Sequence, residues 1–219
     1  MNAQGRTLSY PFASAWLTAP GNKRALPHAL SFGSHSGIPD LWLTGWLPGA
    51  YSRRTSPFHV IGPVGAKNLM TNLERAYADD IKIRLEDEKL PVEGIKLQVD
   101  EFDNDGIVFE KNGVKVIAFS VDHGPAIKPA VGYRIEYNGH AVTISGDTRY
   151  DTNVIKYATG VDLLIHEVAS ARPELMNNIF VQRIIAHHTT PEEAGRVFAM
   201  AKPKLAAYTP YSEGLMAAR

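Results

Sequence analysis

The chain has 219 residues, 23 basic side chains against 23 acidic ones, no cysteine and 44% apolar residues, enough for a sizeable core in one large domain or two small ones. Zero net charge, with no run of Lys or Arg, leaves out the positive field that draws a protein onto nucleic acid or an anionic membrane, so nucleic acid is disfavoured as the main partner. Without Cys there are no disulfides, thiolate nucleophiles or Cys-based zinc sites, and any metal must rest on His, Asp and Glu.

No apolar stretch approaches the roughly 20 residues of a membrane-spanning helix. The N-terminus lacks the apolar core of a signal peptide, although Ala13-Ser14-Ala15 resembles a cleavage site. The expectation is a soluble protein, with cytoplasmic and exported locations both open. Residues 1–36 show no sustained period of 2 or 3.6 and receive no assignment. From Leu41 to Leu47 the text is an apolar, aromatic helix or strand ending at Pro48-Gly49. Phe58–Ile61 is a short strand, and Gly62-Pro63-Val64-Gly65 turns it into a helix with Ala66, Leu69, Met70, Leu73, Ala76 and Tyr77 on one face. Short β-like pieces alternate with acidic turns between Leu97 and Phe109. Lys111-Asn112-Gly113 is a hairpin signal leading into Val114–Phe119, and Asn138-Gly139 joins Gly132–Tyr137 to Ala141–Ser145. A short helix near Asn153–Tyr157 precedes a buried strand, Asp162–Ile165. Thr190-Pro191-Glu192-Glu193 starts a helix running to about Met200, with Thr as N-cap and Pro at the first helical position, and Lys204–Thr209 is a last strand. Hairpins followed by strand, helix, strand predict an α/β layered fold of mixed sheets covered by helices.

Three strands stop at polar residues: His123, Asp147 and the His166-Glu167 pair, with His188 opening the helix after a short loop. Strand ends are where ligands and catalytic groups gather in sheet proteins, and His and Asp are ligands that zinc or manganese take. One such ending reads as a hydrogen-bonded His or an Asx turn; four in sequence do not. Trp42, Trp46 and Tyr51 read as core rather than as a substrate mouth, and Gly62–Gly65 as a plain turn rather than an anion cradle. His140 reads as exposed, His28 and His59 have no identifiable partner, and His187 is taken as the neighbour of His188.

The stretches Gly37-Ile38-Pro39-Asp40-Leu41, Gly62–Gly65, Val121-Asp122-His123, Gly132–Ile135, Ser145-Gly146-Asp147-Thr148-Arg149, His166-Glu167-Val168-Ala169 and His188–Ala194 together resemble a metallo-β-lactamase-fold hydrolase. The similarity covers about residues 37–209 and is greatest to the branch that holds ribonuclease Z, arylsulfatases and cyclic-nucleotide phosphodiesterases. It implies one domain over 1–219, a four-layer αββα sandwich of two mixed sheets flanked by helices, and hydrolysis of a phosphodiester, sulfate ester or related small ester. Two divalent metal ions are implied, zinc ahead of manganese, with His123 and Asp147 as metal ligands and Asp147 as the bridge. His188, Glu167 and His166 are the implied catalytic residues, with Glu167 orienting the imidazole of His188. A homodimer is compatible with the resemblance.

The sequence also departs from the family. Where the family carries His-x-His-x-Asp-His, this chain reads Leu30-Ser31-Phe32-Gly33-Ser34-His35-Ser36, and Pro210 follows Thr209 where a last ligand His is expected. The glycine-rich first hairpin is not recognisable in residues 1–30. Either this is a degenerate member without its metal site, or the sequence lacks segments near 30–37 and 209–210. The second is favoured, because His123, Asp147, Glu167 and His188 are retained together. Ribonuclease Z grips transfer RNA with a basic arm, whereas residues 77–114 here carry Asp79-Asp80, Glu86-Asp87-Glu88 and Asp100–Asp105, which repel phosphates. A small-molecule ester is therefore expected ahead of nucleic acid. The runners-up are a lactonase on the same fold and a metal-free homologue acting as a binding module.

Overall fold

Alternation of apolar residues along the strands, and runs of them at helical spacing, sort this chain into four layers. The computed structural model describes residues 15–19, 22–26, 37–48 and 53–210. One sheet has the order β1-β2-β3-β4, from Ala15–Ala19, Asn22–Leu26, Phe58–Pro63 and Leu97–Phe102. Its first pair is antiparallel and the other two are parallel. The second sheet has the order β10-β9-β8-β7-β6-β5, built from Gly106–Lys111 (β5), Val114–Ser120 (β6), Val131–Tyr137 (β7), His140–Ile144 (β8), Leu163–Val168 (β9) and Leu205–Pro210 (β10). β5 to β8 are antiparallel, while β8, β9 and β10 run parallel, so both sheets are mixed as expected.

Three apolar layers hold the sheets and helices together. Between the sheets, Ile61 meets Val116, Ala118, Val131 and Tyr133. Outside the first sheet, Phe58 and Val60 of β3 pack with Ile38, Trp42 and Met70, which belong to helices α1 (Ile38–Thr44) and α2 (Ala66–Ala76). Outside the second sheet, Phe119 and Leu164 pack with Val154 and Ala158 of α5 (Thr152–Ala158) and with Val197 and Ala201 of α7 (Pro191–Ala201). β3 and β6 divide their side chains between the inner layer and a helical layer because neighbouring residues point to opposite faces. This is the four-layer αββα arrangement implied by the resemblance.

Both hairpin signals form. Asn112 and Gly113 take φ of 53° and 77°, and Asn138 and Gly139 take 49° and 79°, the left-handed pair that a two-residue turn needs. The helix at Thr190 carries the expected N-cap, as a full capping box with Glu193. The apolar segment from Leu41 resolves to helix α1. Trp42 and Trp46 are buried, and their indole N–H groups donate to Ile95 O and Pro91 O at 2.9 Å each, which bears out the core reading. Tyr51, His28, His35 and the segment 30–36 lie outside the described residues. The turn at Gly62–Gly65 is a strand-to-helix turn whose N–H groups are already occupied: Glu101 Oε1 accepts from Gly65 N at 2.8 Å and Lys67 N at 2.9 Å. His59 does have a partner, Asp100, and His140 is exposed beside Asp162.

Three features were not foreseen. β1 and β2 form an antiparallel hairpin in the segment left unassigned; its cue is Pro20-Gly21, a turn dipeptide without periodic flanks. Part of the acidic segment is helix α3 (Ala78–Glu86), where Arg84 bridges Asp80 and Glu88 at 2.9 Å each across single helical turns. A short α4 (Val92–Ile95) follows it, and α6 (Ile179–Ile185) leads into the His187-His188 loop.

Candidate active site

Three ends of the second sheet bring the polar residues together. β6 runs out at Ser120, and the next residues are held by Val121 N donating to Ala130 O at 3.0 Å and Asp122 O accepting from Arg149 N at 2.7 Å. This fixes the loop that carries His123. β8 ends at Ile144, Ser145 N donates to Ile165 O, and Gly146 at φ 66° takes the left-handed conformation that turns the chain toward Asp147. β9 carries Glu167 on its inner face. The loop after α6 presents His187 and His188 before Thr189 and the α7 cap.

Glu167 is the hub. Its side chain is 6% exposed, and Oε2 accepts from His188 Nδ1 at 3.1 Å. The other oxygen, Oε1, accepts from Thr189 N at 2.8 Å and Thr148 N at 3.4 Å. Ser145 Oγ accepts from Glu167 N at 3.0 Å, and Thr189 Oγ1 donates to Thr148 O at 2.7 Å, so the β8, β9 and α7 ends are tied to one another. A carboxylate that accepts from three donors is held in one orientation.

The His123 and His188 rings meet edge to face, with centroids 5.1 Å apart. His123 Nδ1 donates to His187 O at 2.9 Å, since a carbonyl only accepts. Burial pushes the His123 imidazole below its ordinary value, more than the His187 carbonyl and Asp147 pull it up. Burial also acts against the charged form of His188, but the hydrogen bond and charge of Glu167, with Asp147 adding to them, outweigh it and raise that imidazole. Asp147 acts electrostatically on both rings and accepts no hydrogen bond among the described residues.

Of the five candidates, His123, Asp147, Glu167 and His188 therefore converge. His166 does not join them. It is fully buried on the opposite face of β9, the face of Leu164, with its ring against Phe198 of α7 at 6.2 Å and 79°. Its Nδ1 donates to the backbone oxygen of Glu167 at 2.6 Å and its Nε2 has no partner among the described residues, while burial lowers its pKa. Strand alternation makes this unavoidable: adjacent residues cannot both face the site. Thr148, Thr189 and Ser145 also belong to the site; all three lay in the quoted motifs, but none was assigned a task.

Comparison with known proteins agrees with this architecture. Residues 58–209 match the family model described as "Beta-lactamase superfamily domain". Ribonuclease Z of Mycobacterium marinum is 26% identical over 216 residues, 97% of this chain and 76% of that protein. Ribonuclease Z of Mycolicibacterium gilvum is 29% identical over 160 residues, 72% of this chain and 54% of that protein. Among solved structures, the short form of human tRNase Z superposes with a TM-score of 0.64 at 18% identity, covering 95% of this chain and 94% of that one. The metallo-beta-lactamase fold protein YhfI from Bacillus subtilis gives 0.57 at 15% identity, covering 90% and 79%. The chain belongs to the beta-lactamase superfamily and has the metallo-β-lactamase fold.

Proposed function

We propose that the chain hydrolyses phosphodiesters with the help of divalent metal, and that the Glu167–His188 pair supplies the acid. The observation that carries this reading is the threefold-bonded Glu167 beside an imidazole of raised pKa, set against His123 and Asp147. His188 donates Nδ1–H to Glu167, and its imidazolium is the acid that would meet a phosphate oxygen or protonate a departing alkoxide. Glu167 stabilises the cation before transfer and fixes the ring throughout. Thr148 and Thr189, bonded to Glu167 through their backbone N–H groups, keep its carboxylate from turning.

The donors suit a metal in kind. With Nδ1 of His123 committed to a carbonyl, Nε2 is the lone-pair nitrogen that a metal takes, and the oxygens of Asp147 accept no hydrogen bond among the described residues. In number they fall short: no group of three or more potential ligands gathers among the described residues, while a catalytic zinc takes three protein ligands. His123 and Asp147 are the residues that would hold the ion. A bound divalent ion supplies Lewis acidity toward the ester and makes water more acidic. Zinc ahead of manganese remains the proposal for its identity.

Relatives named ribonuclease Z favour a nucleic-acid phosphodiester, and the acidic α3 region favours a small one. We place the small ester first, because Asp79, Glu86 and Asp103 are exposed and repel a polyanion. Metal analysis of protein purified without chelator should give about two equivalents. Bis-p-nitrophenyl phosphate should then be cleaved in preference to p-nitrophenyl sulfate, with His188→Ala strongly impaired. Cleavage of a transfer RNA 3′ trailer but not of the small diester would move the substrate to RNA. No hydrolysis of either by metal-loaded protein would refute the reading.

A further inference from the structure

His187 is one residue from the acid and was taken from the sequence as a mere neighbour. Its position says more. His123 Nδ1 donates to the backbone oxygen of His187 at 2.9 Å, and the side-chain Nδ1 of His187 donates back to the backbone oxygen of His123 at 3.2 Å. The two imidazoles thus exchange hydrogen bonds with each other's main chain across 64 residues of sequence, and their rings cross at 74° with centroids 6.0 Å apart. The ring of His187 lies directly on Gly124: a Cβ there would come within 2.4 Å of Nδ1 and 2.8 Å of Cε1. Gly124 also has φ of 98°, so this position requires glycine twice over, for its backbone and for the ring above it. Arg149 Nε donates to Ala186 O at 2.8 Å and anchors the preceding residue.

We infer that His187 is a positioning residue for His123: the reciprocal clasp holds the His187 carbonyl where it fixes the Nδ1–H tautomer of His123, leaving Nε2 as the lone-pair nitrogen. The backbone oxygen alone does not secure this, because it sits in the turn that ends α6, where His187 N donates to Ile184 O at 3.0 Å and so ties the turn to its own helix rather than to the His123 loop. The side-chain bond back to His123 O and the close fit over Gly124 are what register that loop against the His123 loop. Because His188 follows directly, the same clasp sets the spacing between His123 and the Glu167–His188 pair. The inference rests on the proposed ligand function of His123 for its purpose, but its geometry can be tested without metal.

The test uses the full chain, metal-free, at a pH where His123 is neutral. Ring nitrogen shifts from 15N long-range correlation spectra report the tautomer of each histidine. Wild type should show His123 as a single Nδ1–H form. His187→Ala should show a mixture of tautomers with the fold intact. His187→Asn, whose amide nitrogen occupies nearly the place of Nδ1 and restores the donor, should return the single form. In a parallel titration with zinc alone, His187→Ala should weaken affinity roughly 10–100-fold and His187→Asn should recover most of it, the usual effect of losing a group that orients a ligand. A single unchanged Nδ1–H tautomer in folded His187→Ala overturns the inference, as does a mixture in folded His187→Asn. If His187→Ala does not fold, the asparagine variant decides alone. Absence of zinc binding by wild type would count against the proposed function and leave the tautomer result standing by itself.

Discussion

Replacing Glu167 by Gln keeps the shape of the hub and removes its charge. The Gln oxygen still accepts from Thr189 N, now at 2.8 Å from Glu167 Oε1, and its amide group then faces His188 Nδ1. An amide donates there, so His188 is driven to its Nε2–H neutral form with Nδ1 accepting. What is lost is one charge-assisted bond, worth about 1.5–3 kcal/mol, and with it the main influence that raises the His188 imidazole, so its pKa falls. Burial, which already opposes the cation, then dominates. The sign shows in stability. In the wild type the folded-state pKa of His188 is raised, so its contribution is fully present below about 6.5 and fades as pH rises through the folded value; in the variant the pKa is depressed and stability is instead lost as pH falls. Denaturation of metal-free protein by urea from pH 5 to 8, with NMR titration of His188, reads both. Diester hydrolysis should fall by about 10²–10⁴, the usual worth of a positioned acid. An unchanged His188 titration in the Gln variant would refute the assignment of Glu167 as the group that charges it.

His166→Leu should leave diester hydrolysis near wild type, and its melting temperature should stay level or rise, because an orphaned buried nitrogen costs about 1–3 kcal/mol; a loss comparable with that of His188→Ala would return His166 to the site. His123→Ala and Asp147→Ala should each lower the metal content measured after dialysis against zinc, while circular dichroism stays unchanged; full metal retention in both would exclude them as ligands. Gly94→Ala should destabilise by about 1–3 kcal/mol in thermal melts, since a Cβ would meet Arg54 O at 2.1 Å and the Trp46 ring at 2.6 Å, with activity at low temperature retained.

Much of the fold was legible because its cues are local. Asn138-Gly139 and Asn112-Gly113 dictate turns by backbone conformation alone, and the Thr190 capping box is written within four residues. The first hairpin was not legible, because pairing of Ala15–Ala19 with Asn22–Leu26 is unaccompanied by alternation in the text. At the site, Asp147, Glu167 and His188 could be named from motifs. The side of the sheet each faces could not be taken from a motif match, and a count of alternate residues back from Leu164 would have put His166 under α7. His187 escaped notice because its partner, the main chain of His123, lies 64 residues away and carries no side-chain signal.

That β9 divides Leu164 and His166 from Ile165 and Glu167 makes one strand answer to two demands. A slip of a single residue in its pairing with β8 or β10 would send Glu167 into the apolar layer beneath α7 and bring His166 round to His188. Burying an ionised carboxylate among Val197, Phe198 and Ala201 is forbidding, so the packing of α7 guards the register of the acid. Substitutions that enlarge Ala201 or Ala194, far from any substrate, should thus reach hydrolysis through alignment of the strand. Robustness of the chemistry in this protein is inherited from the tightness with which the body of one helix packs behind it.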